Sequence, residues 1–142
     1  MKKLKYFLFF ILTFSLKASL AQSTEEKLAL MFFREGNYEK AASLYYELYE
    51  KTPTLFYYTY YLQSLLELND FSTAEKFVKK LTREHPETSR YIIDLGHIYI
   101  QWNESEKAKK IFEDAIKEVK PEKRSITDLA NAFRVRRLDD YA

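Results

Sequence analysis

Three similar stretches of sequence recur along the chain and decide its fold. Residues 36–48 read GNYEKAASLYYEL, residues 69–81 read NDFSTAEKFVKKL, and residues 103–115 read NESEKAKKIFEDA. An alanine holds the sixth place in each stretch, and a fourth alanine follows at the same spacing of 33 to 34 residues. These alanines are Ala41, Ala74, Ala108 and Ala142. Self-similarity at a period of this length is typical of a repeat protein, so we expect a series of small similar units.

Each repeat predicts two helices. Within residues 108–119, apolar side chains recur at i, i+3, i+4, i+7 and i+8, which places them on one helix face. Asn37 and Asp70 lie where a side-chain oxygen caps a second helix, and Gly36 fits a left-handed helix stop. A proline follows each second helix and blocks its continuation, at Pro53, Pro86 and Pro121. The predicted helices span 25–35, 38–51, 55–67, 71–84, 89–101, 105–118 and 125–137.

The third unit resembles a tetratricopeptide repeat. The marker residues of that family are present as Leu95, Gly96, Tyr99, Ala108, Phe112, Ala115 and Pro121. The other units match less fully, because Leu62 takes the place of a small residue in the second unit. The early Trp of the family is missing from every unit, and Ile92 holds its place in the third. The resemblance implies an all-α superhelix, a solenoid of about three and a half helix-turn-helix repeats. The repeats would span 22–54, 55–88 and 89–122, with the first helix of an incomplete fourth repeat at 123–142.

The first 21 residues have the layout of a secretory signal peptide. Three lysines lie among the first five residues, an apolar run covers 6–16, and the small residues Ser19 and Ala21 precede Gln22. We therefore expect cleavage after Ala21 and a periplasmic or secreted protein, with a bacterial envelope as its setting. The alternative is an uncleaved membrane anchor, but a span needs about 20 apolar residues, and Lys17 interrupts this run.

Cleavage at this position changes the charge of the chain. The full sequence carries 23 basic and 21 acidic residues, and segment 1–21 holds four of the lysines and no acid. The remainder has 19 basic and 21 acidic residues, a net charge of −2. Broad attraction to nucleic acid or to an anionic membrane is therefore not expected. A cluster of Arg134, Arg136 and Arg137 does not alter this, because Asp139 and Asp140 follow it.

The sequence given stops in the middle of a repeat, because Ala142 is the marker alanine of a fourth second helix. Two interpretations stay open: the last helix caps the array, or the sequence is a fragment of a longer protein, which we favour. From this last helix we expect Ile126, Leu129, Ala130 and Phe133 to pack inward against repeat three. Val135 and Leu138 would be poorly covered.

Composition argues against catalysis. The chain has no cysteine, and its two glycines are sixty residues apart, which excludes disulfides, thiolate metal sites and glycine-rich phosphate loops. His97 and Asp94 lie three apart on one predicted helix and can touch, but no nucleophile accompanies them, so a surface or groove contact is expected. No metal-binding spacing is present. We therefore expect the protein not to be an enzyme and to bind neither a cofactor nor a metal.

In the family that the chain resembles, the first helices line a concave groove that takes a segment of a partner protein. The corresponding positions here are Leu30, Phe33, Phe56, Gln63, Arg90, Ile93, His97, Gln101, Arg124, Asn131 and Arg134. Some members clamp a terminal carboxylate with Lys and Asn, but those places hold Glu26 and Leu30. Arg90, Arg124 and Arg134 can pair with acidic side chains instead.

The functional hypothesis is a non-enzymatic scaffold that binds a protein or peptide in this groove. One alternative is the N-terminal sensory or docking region of a larger signalling protein or enzyme. Another is a glycan-binding module that uses the run FYYTYY at residues 56–61, although core packing is the expected role of most of these rings. The sequence leaves the partner, the biological process and the oligomeric state open.

Overall fold

The computed structural model describes residues 24–138, and every element within this range is a helix. The predicted signal peptide and Ala142 lie outside the described residues. The helices are α1 (24–34), α2 (Tyr38–Lys51), α3 (Leu55–Glu67), α4 (Phe71–Glu84), α5 (Ser89–Gln101), α6 (Ser105–Glu118) and α7 (Lys123–Val135). The all-α prediction is confirmed, and the bounds of α2 to α6 agree with the sequence pattern. Helix α7 begins and ends two residues earlier than predicted.

The chain folds as two compact units, with the boundary between Leu68 and Asn69. The first unit contains α1, α2 and α3, and the second contains α4 to α7. The boundary lies inside the predicted repeat 55–88, between its two helices.

Side-chain caps fix several helix starts. The Asn37 Oδ1 accepts a hydrogen bond from the Lys40 amide at 3.4 Å, and the Asp70 Oδ1 accepts one from the Thr73 amide at 3.1 Å. The sequence predicts both of these caps. It did not indicate a third, in which the Thr54 Oγ1 accepts from the Tyr57 amide at 3.2 Å. These bonds satisfy amides that the helix itself leaves without partners.

The chain leaves four of the helices through the same left-handed residue conformation. Gly36 has a φ of 75°, and the residues at the same place in later turns have φ values of 56° to 62°. Those residues are Asn69, Asn103 and Arg137. Of these four residues only the glycine is predicted from the sequence to be left-handed, although asparagine also tolerates this region. The turn at Arg137 explains why α7 ends at Val135, two residues before the predicted end.

Tyrosine rings fill the first unit. Helices α2 and α3 pack closely, and Tyr45, Leu48 and Tyr58 are fully buried. The Tyr45 ring stacks on Tyr60, with centroids 5.0 Å apart. The Tyr57 hydroxyl donates to the Glu26 Oε2 at 2.7 Å and so ties α3 to α1. The tyrosine run therefore serves mainly as core, as expected.

Helix α5 is the centre of the second unit, because α4, α6 and α7 all pack against it. Gly96 allows the close approach of α6, since a Cβ at this position would lie within 3.0 Å of three carbons of the Phe112 ring. Phe112 in turn meets Phe133 of α7 edge-on, at 5.3 Å between centroids. Gly96, a marker residue of the third unit, therefore has a steric role in the packing of α5 against α6.

One predicted core residue on α7 is wrong. Ile126 is 50% exposed, whereas Leu129 and Phe133 are buried and Ala130 is half-buried. Ile126 lies seven residues before Phe133 and only about 20° from it around the helix. It stands in the first turn of α7, and the buried face begins one turn later at Leu129. Val135 is 57% exposed, in agreement with the expected poor cover at this end of the helix.

Candidate partner-binding surfaces

The predicted groove residues divide between the two units. Those in the first unit are Leu30, Phe33, Phe56 and Gln63, and those in the second are Arg90, Ile93, His97, Gln101, Arg124, Asn131 and Arg134. Each unit therefore has its own candidate surface.

Helices α1 and α3 bring Phe33 and Phe56 to one aromatic cluster around Tyr60. The Phe33 and Phe56 rings lie 4.8 and 4.7 Å from the Tyr60 ring, between centroids. Phe56 is 41% exposed, Gln63 is exposed, and Leu30 is half-buried. Both phenylalanine rings contact the Tyr60 ring, so the three rings present a continuous aromatic surface.

The second unit has a polar pocket of about 440 Å³ between the start of α5 and helix α7. Three predicted groove residues line it together, namely Arg90, Arg124 and Asn131. The remaining lining residues are Glu87, Thr88, Ser89, Asp128 and Ala132. The spacing that placed Arg90 and Arg124 in corresponding positions of successive repeats also brings their side chains to one pocket.

The charges of this pocket are mixed. Glu87 and Asp128 contribute two carboxylates beside the two arginines, and the Arg124 Nε lies 3.9 Å from the Asp128 Oδ2. Both partners of this pair are largely exposed, so the interaction is weak and easily displaced by a ligand. A group that binds here therefore meets two cations at fixed places rather than a uniformly positive surface.

The prediction that Ile93 contacts a partner is wrong for this structure. Ile93 has no exposed surface and belongs to the core of the second unit. Helical register placed it on the groove face, but α5 is packed on three sides and little of its surface is left open. Gln101 and Arg134 are exposed, although neither lines the pocket.

Sequence reasoning missed the most buried charged pair. The Arg136 Nε donates to the Asp94 Oδ1 at 2.6 Å, and Asp94 is almost completely buried. His97 lies one helical turn after Asp94 and is half-buried. Burial and the neighbouring Arg136 lower the pKa of His97, and Asp94 partly opposes this. The expected closeness of Asp94 and His97 gave no indication of Arg136, which is 42 residues further along the chain than Asp94.

A second charged group links α4 with α5 in the same unit. The Tyr99 hydroxyl donates a hydrogen bond to the Glu75 Oε1, which also accepts from the Lys79 Nζ at 2.6 Å. These bonds from Lys79 and Tyr99 lower the pKa of Glu75. These hydrogen bonds help to hold α4 against α5, because the Glu75 carboxylate is paired with both donors.

Comparison with protein families identifies residues 89–118, helices α5 and α6, as a match to the tetratricopeptide repeat. The match falls inside the predicted third repeat, where Gly96 and Phe112 make the contact described above. A comparison with curated proteins gave no significant match. The repeat is a protein–protein interaction module, and its family is typically non-catalytic.

The tetratricopeptide repeat has a second, smaller pocket of about 250 Å³ beside Ile92. Ile92 holds the place of the early Trp of the repeat, and Ala115, Val119 and Leu129 lie around the same pocket. The pocket is lined by residues of α4, α5, α6 and α7. Half of the lining residues are apolar, and arginine is not among them, so this pocket lacks the fixed cations of the larger one.

Residues 24–138 contain neither a helix that could span a membrane nor a cluster of side chains that could hold a metal ion. No helix in that range combines the length and the apolar character needed to cross a membrane. No group of three or more His, Asp or Glu side chains in the same range has the geometry to hold a metal ion.

Proposed function

We propose that the chain is an exported, non-enzymatic scaffold that binds an extended segment of a partner protein against α5 and α7. The arginine-lined pocket carries this proposal, because Arg90, Arg124 and Asn131 converge there from two helices. Guanidinium groups bind carboxylates with strong charge-assisted hydrogen bonds, and an asparagine amide can pair with a peptide main chain.

The charge pattern specifies the chemistry of the bound segment. Because Glu87 and Asp128 line the pocket as well, a densely acidic segment would meet repulsion. A segment with one acidic side chain aimed at Arg90 and Arg124 avoids that repulsion. Exposed Arg134 lies further along α7 and offers a contact for a second acidic group on the same segment.

A selection from an immobilised random peptide library tests this proposal. We expect wild-type chain to enrich peptides that share an acidic residue. The Arg90→Ala/Arg124→Ala variant should bind those peptides at least about tenfold more weakly, since a charge-assisted hydrogen bond contributes about 1.5–3 kcal/mol. The matched control is Lys109→Ala/Lys110→Ala, which removes the same charge from exposed positions on α6. Equal loss in both variants would reject the pocket as the binding site.

Export is supported by the signal-peptide layout of residues 1–21. Intact-mass measurement of the protein recovered from the periplasm of an expressing bacterium tests it. We expect a chain that begins at Gln22, and recovery of the uncleaved chain from the cytoplasm would contradict export.

A further inference from the structure

The pair Asp94–Arg136 fastens the end of α7 to the middle of α5. Arg136 directly follows the last residue of α7, and its Nε lies 2.6 Å from the Asp94 Oδ1. Both side chains are largely buried, with 16% of Arg136 and 2% of Asp94 exposed. Breaking such a pair on one side leaves an uncompensated charge in the interior, which is strongly unfavourable. The Asp94–Arg136 pair therefore stabilises the position of the end of α7 against α5.

His97 is the titratable group beside this pair. It follows Asp94 by one turn on α5, and its Nδ1 is buried with no hydrogen-bond partner among the described residues. Within residues 24–138, the charged groups that act on the imidazole are Arg136 from the end of α7 and Asp94 from α5, and none from α4 or α6 joins them. A proton on His97 would place a second cation next to Arg136, where both compete for one carboxylate.

The direction of the pH effect follows from the environment of the ring. Burial and Arg136 lower the pKa of His97 below its ordinary value of 6.5. The unfolded chain therefore takes up this proton before the folded chain does. The contribution of His97 to stability is complete above pH 6.5 and is lost as the pH falls through the lowered pKa. Glu75 stays ionised in this window, because its pKa is lowered from 4.5.

We propose that Asp94, His97 and Arg136 form an acid-sensitive latch, in which protonation of His97 releases the end of α7 from α5. Neutral His97 leaves Asp94 to Arg136 and the latch is closed. Protonated His97 repels Arg136 and takes its carboxylate, so the end of α7 loses this buried ionic attachment to α5. Histidine is suited to this role because its charge changes in the mildly acidic range.

The chain offers a direct way to observe the latch. It has no cysteine, and Val135 is exposed, so Val135→Cys places a single nitroxide label at the end of α7. We expect the electron paramagnetic resonance spectrum to gain a mobile component as the pH is lowered from about 7.5 to about 4.5, below the ordinary pKa of histidine, and to lose it on return to the higher pH. A spectrum that stays the same across this range in the labelled wild-type background would overturn the proposal.

The two histidines provide a matched pair of variants. In His97→Gln the pH-dependent component should be absent, because the side chain cannot take up a proton. In His85→Gln it should remain in full, because His85 lies on an exposed turn at the end of α4. The same pH response in His97→Gln would assign the titration to another group and overturn the latch. Circular dichroism at about pH 7.5 checks that each variant keeps its helices. If His97→Gln loses its helices, the pH dependence of the electron paramagnetic resonance spectrum in the labelled wild-type background decides the question.

Discussion

The first unit packs its helices with tyrosine rings, whereas the second packs them with a glycine–phenylalanine contact and charged pairs. In the first unit, Tyr45 is buried among rings and the Tyr57 hydroxyl reaches Glu26. In the second, Gly96 admits the Phe112 ring, and Asp94 holds an arginine. The first unit shares its packing among several ring contacts, while a Cβ-free contact and a buried ion pair each fail on a single change. The second unit should therefore be the more sensitive to substitution.

The largest expected effect is at Ala108. This side chain is buried in α6, so Ala108→Arg both overfills the core and buries an unpaired charge. We expect a loss of about 4 kcal/mol or more in the free energy of unfolding, or failure to fold. The neighbouring exposed Lys109→Ala should change it by less than about 0.5 kcal/mol. Equal melting temperatures for the two variants would contradict the packing described for α5 and α6.

The next effect is at Gly96. Gly96→Ala places a Cβ into the Phe112 ring and should destabilise by about 1–3 kcal/mol, even though alanine favours the helix by about 1 kcal/mol. The double variant Gly96→Ala/Phe112→Leu separates the two terms. If the ring causes the loss, Phe112→Leu should cost less in the Gly96→Ala background than in wild type, as measured by urea unfolding. Purely additive costs would show that the ring has room to move.

Two tyrosine hydroxyls in the first unit differ in whether they have a hydrogen-bond partner among the described residues. The Tyr45 hydroxyl is buried with no hydrogen-bond partner among the described residues, and burial raises its pKa, whereas the Tyr57 hydroxyl donates to Glu26. Tyr45→Phe should be neutral or stabilise by up to about 1 kcal/mol, and Tyr57→Phe should destabilise by about 1 kcal/mol. Thermal unfolding of the two variants checks this. A loss in Tyr45→Phe equal to that in Tyr57→Phe would mean that the Tyr45 hydroxyl has a partner.

The smallest expected effect concerns the helix caps. Asp70→Ala removes the bond to the Thr73 amide and should cost about 1 kcal/mol. Glu104 holds the corresponding place before α6 but makes no side-chain capping bond, so Glu104→Ala should cost clearly less. Chemical denaturation of the two variants provides the comparison, and equal losses would remove the distinction between the two starts.

Local features of the fold could be predicted from the sequence. Asn37 and Asp70 mark helix starts through bonds to amides three residues away, and Gly36 marks a left-handed turn by its own conformational freedom. Gly96 is a marker residue of the third unit, so the repeat pattern alone identifies its position. Each of these signals lies within one turn of helix or within one repeat period.

Features that depend on packing between distant residues could not be predicted. The bond between Asp94 and Arg136 joins positions 42 residues apart, and neither residue type is typical of a buried site. Ile93 was expected on the groove and is buried, because helical register does not show how many helices pack around α5. Ile126 was expected in the core and is exposed, because register does not show where along α7 the packing begins.

The mixed charge of the polar pocket also could not be predicted from the sequence. The repeat spacing placed Arg90 and Arg124 in corresponding positions, but it carried no information on which acidic side chains would join them. Glu87 and Asp128 change the charge of the pocket without altering the repeat pattern.

The most direct test of the central claim is a nitrogen-15 chemical-shift map of the chain with a peptide from the library selection bound. We expect the amides with the largest shifts to cluster at residues 87–90 and 124–132, around Arg90, Arg124 and Asn131. Shifts that cluster on the outer face of α6, around Lys109 and Lys110, would contradict it. So would an identical map for the Arg90→Ala/Arg124→Ala variant at the same peptide concentration.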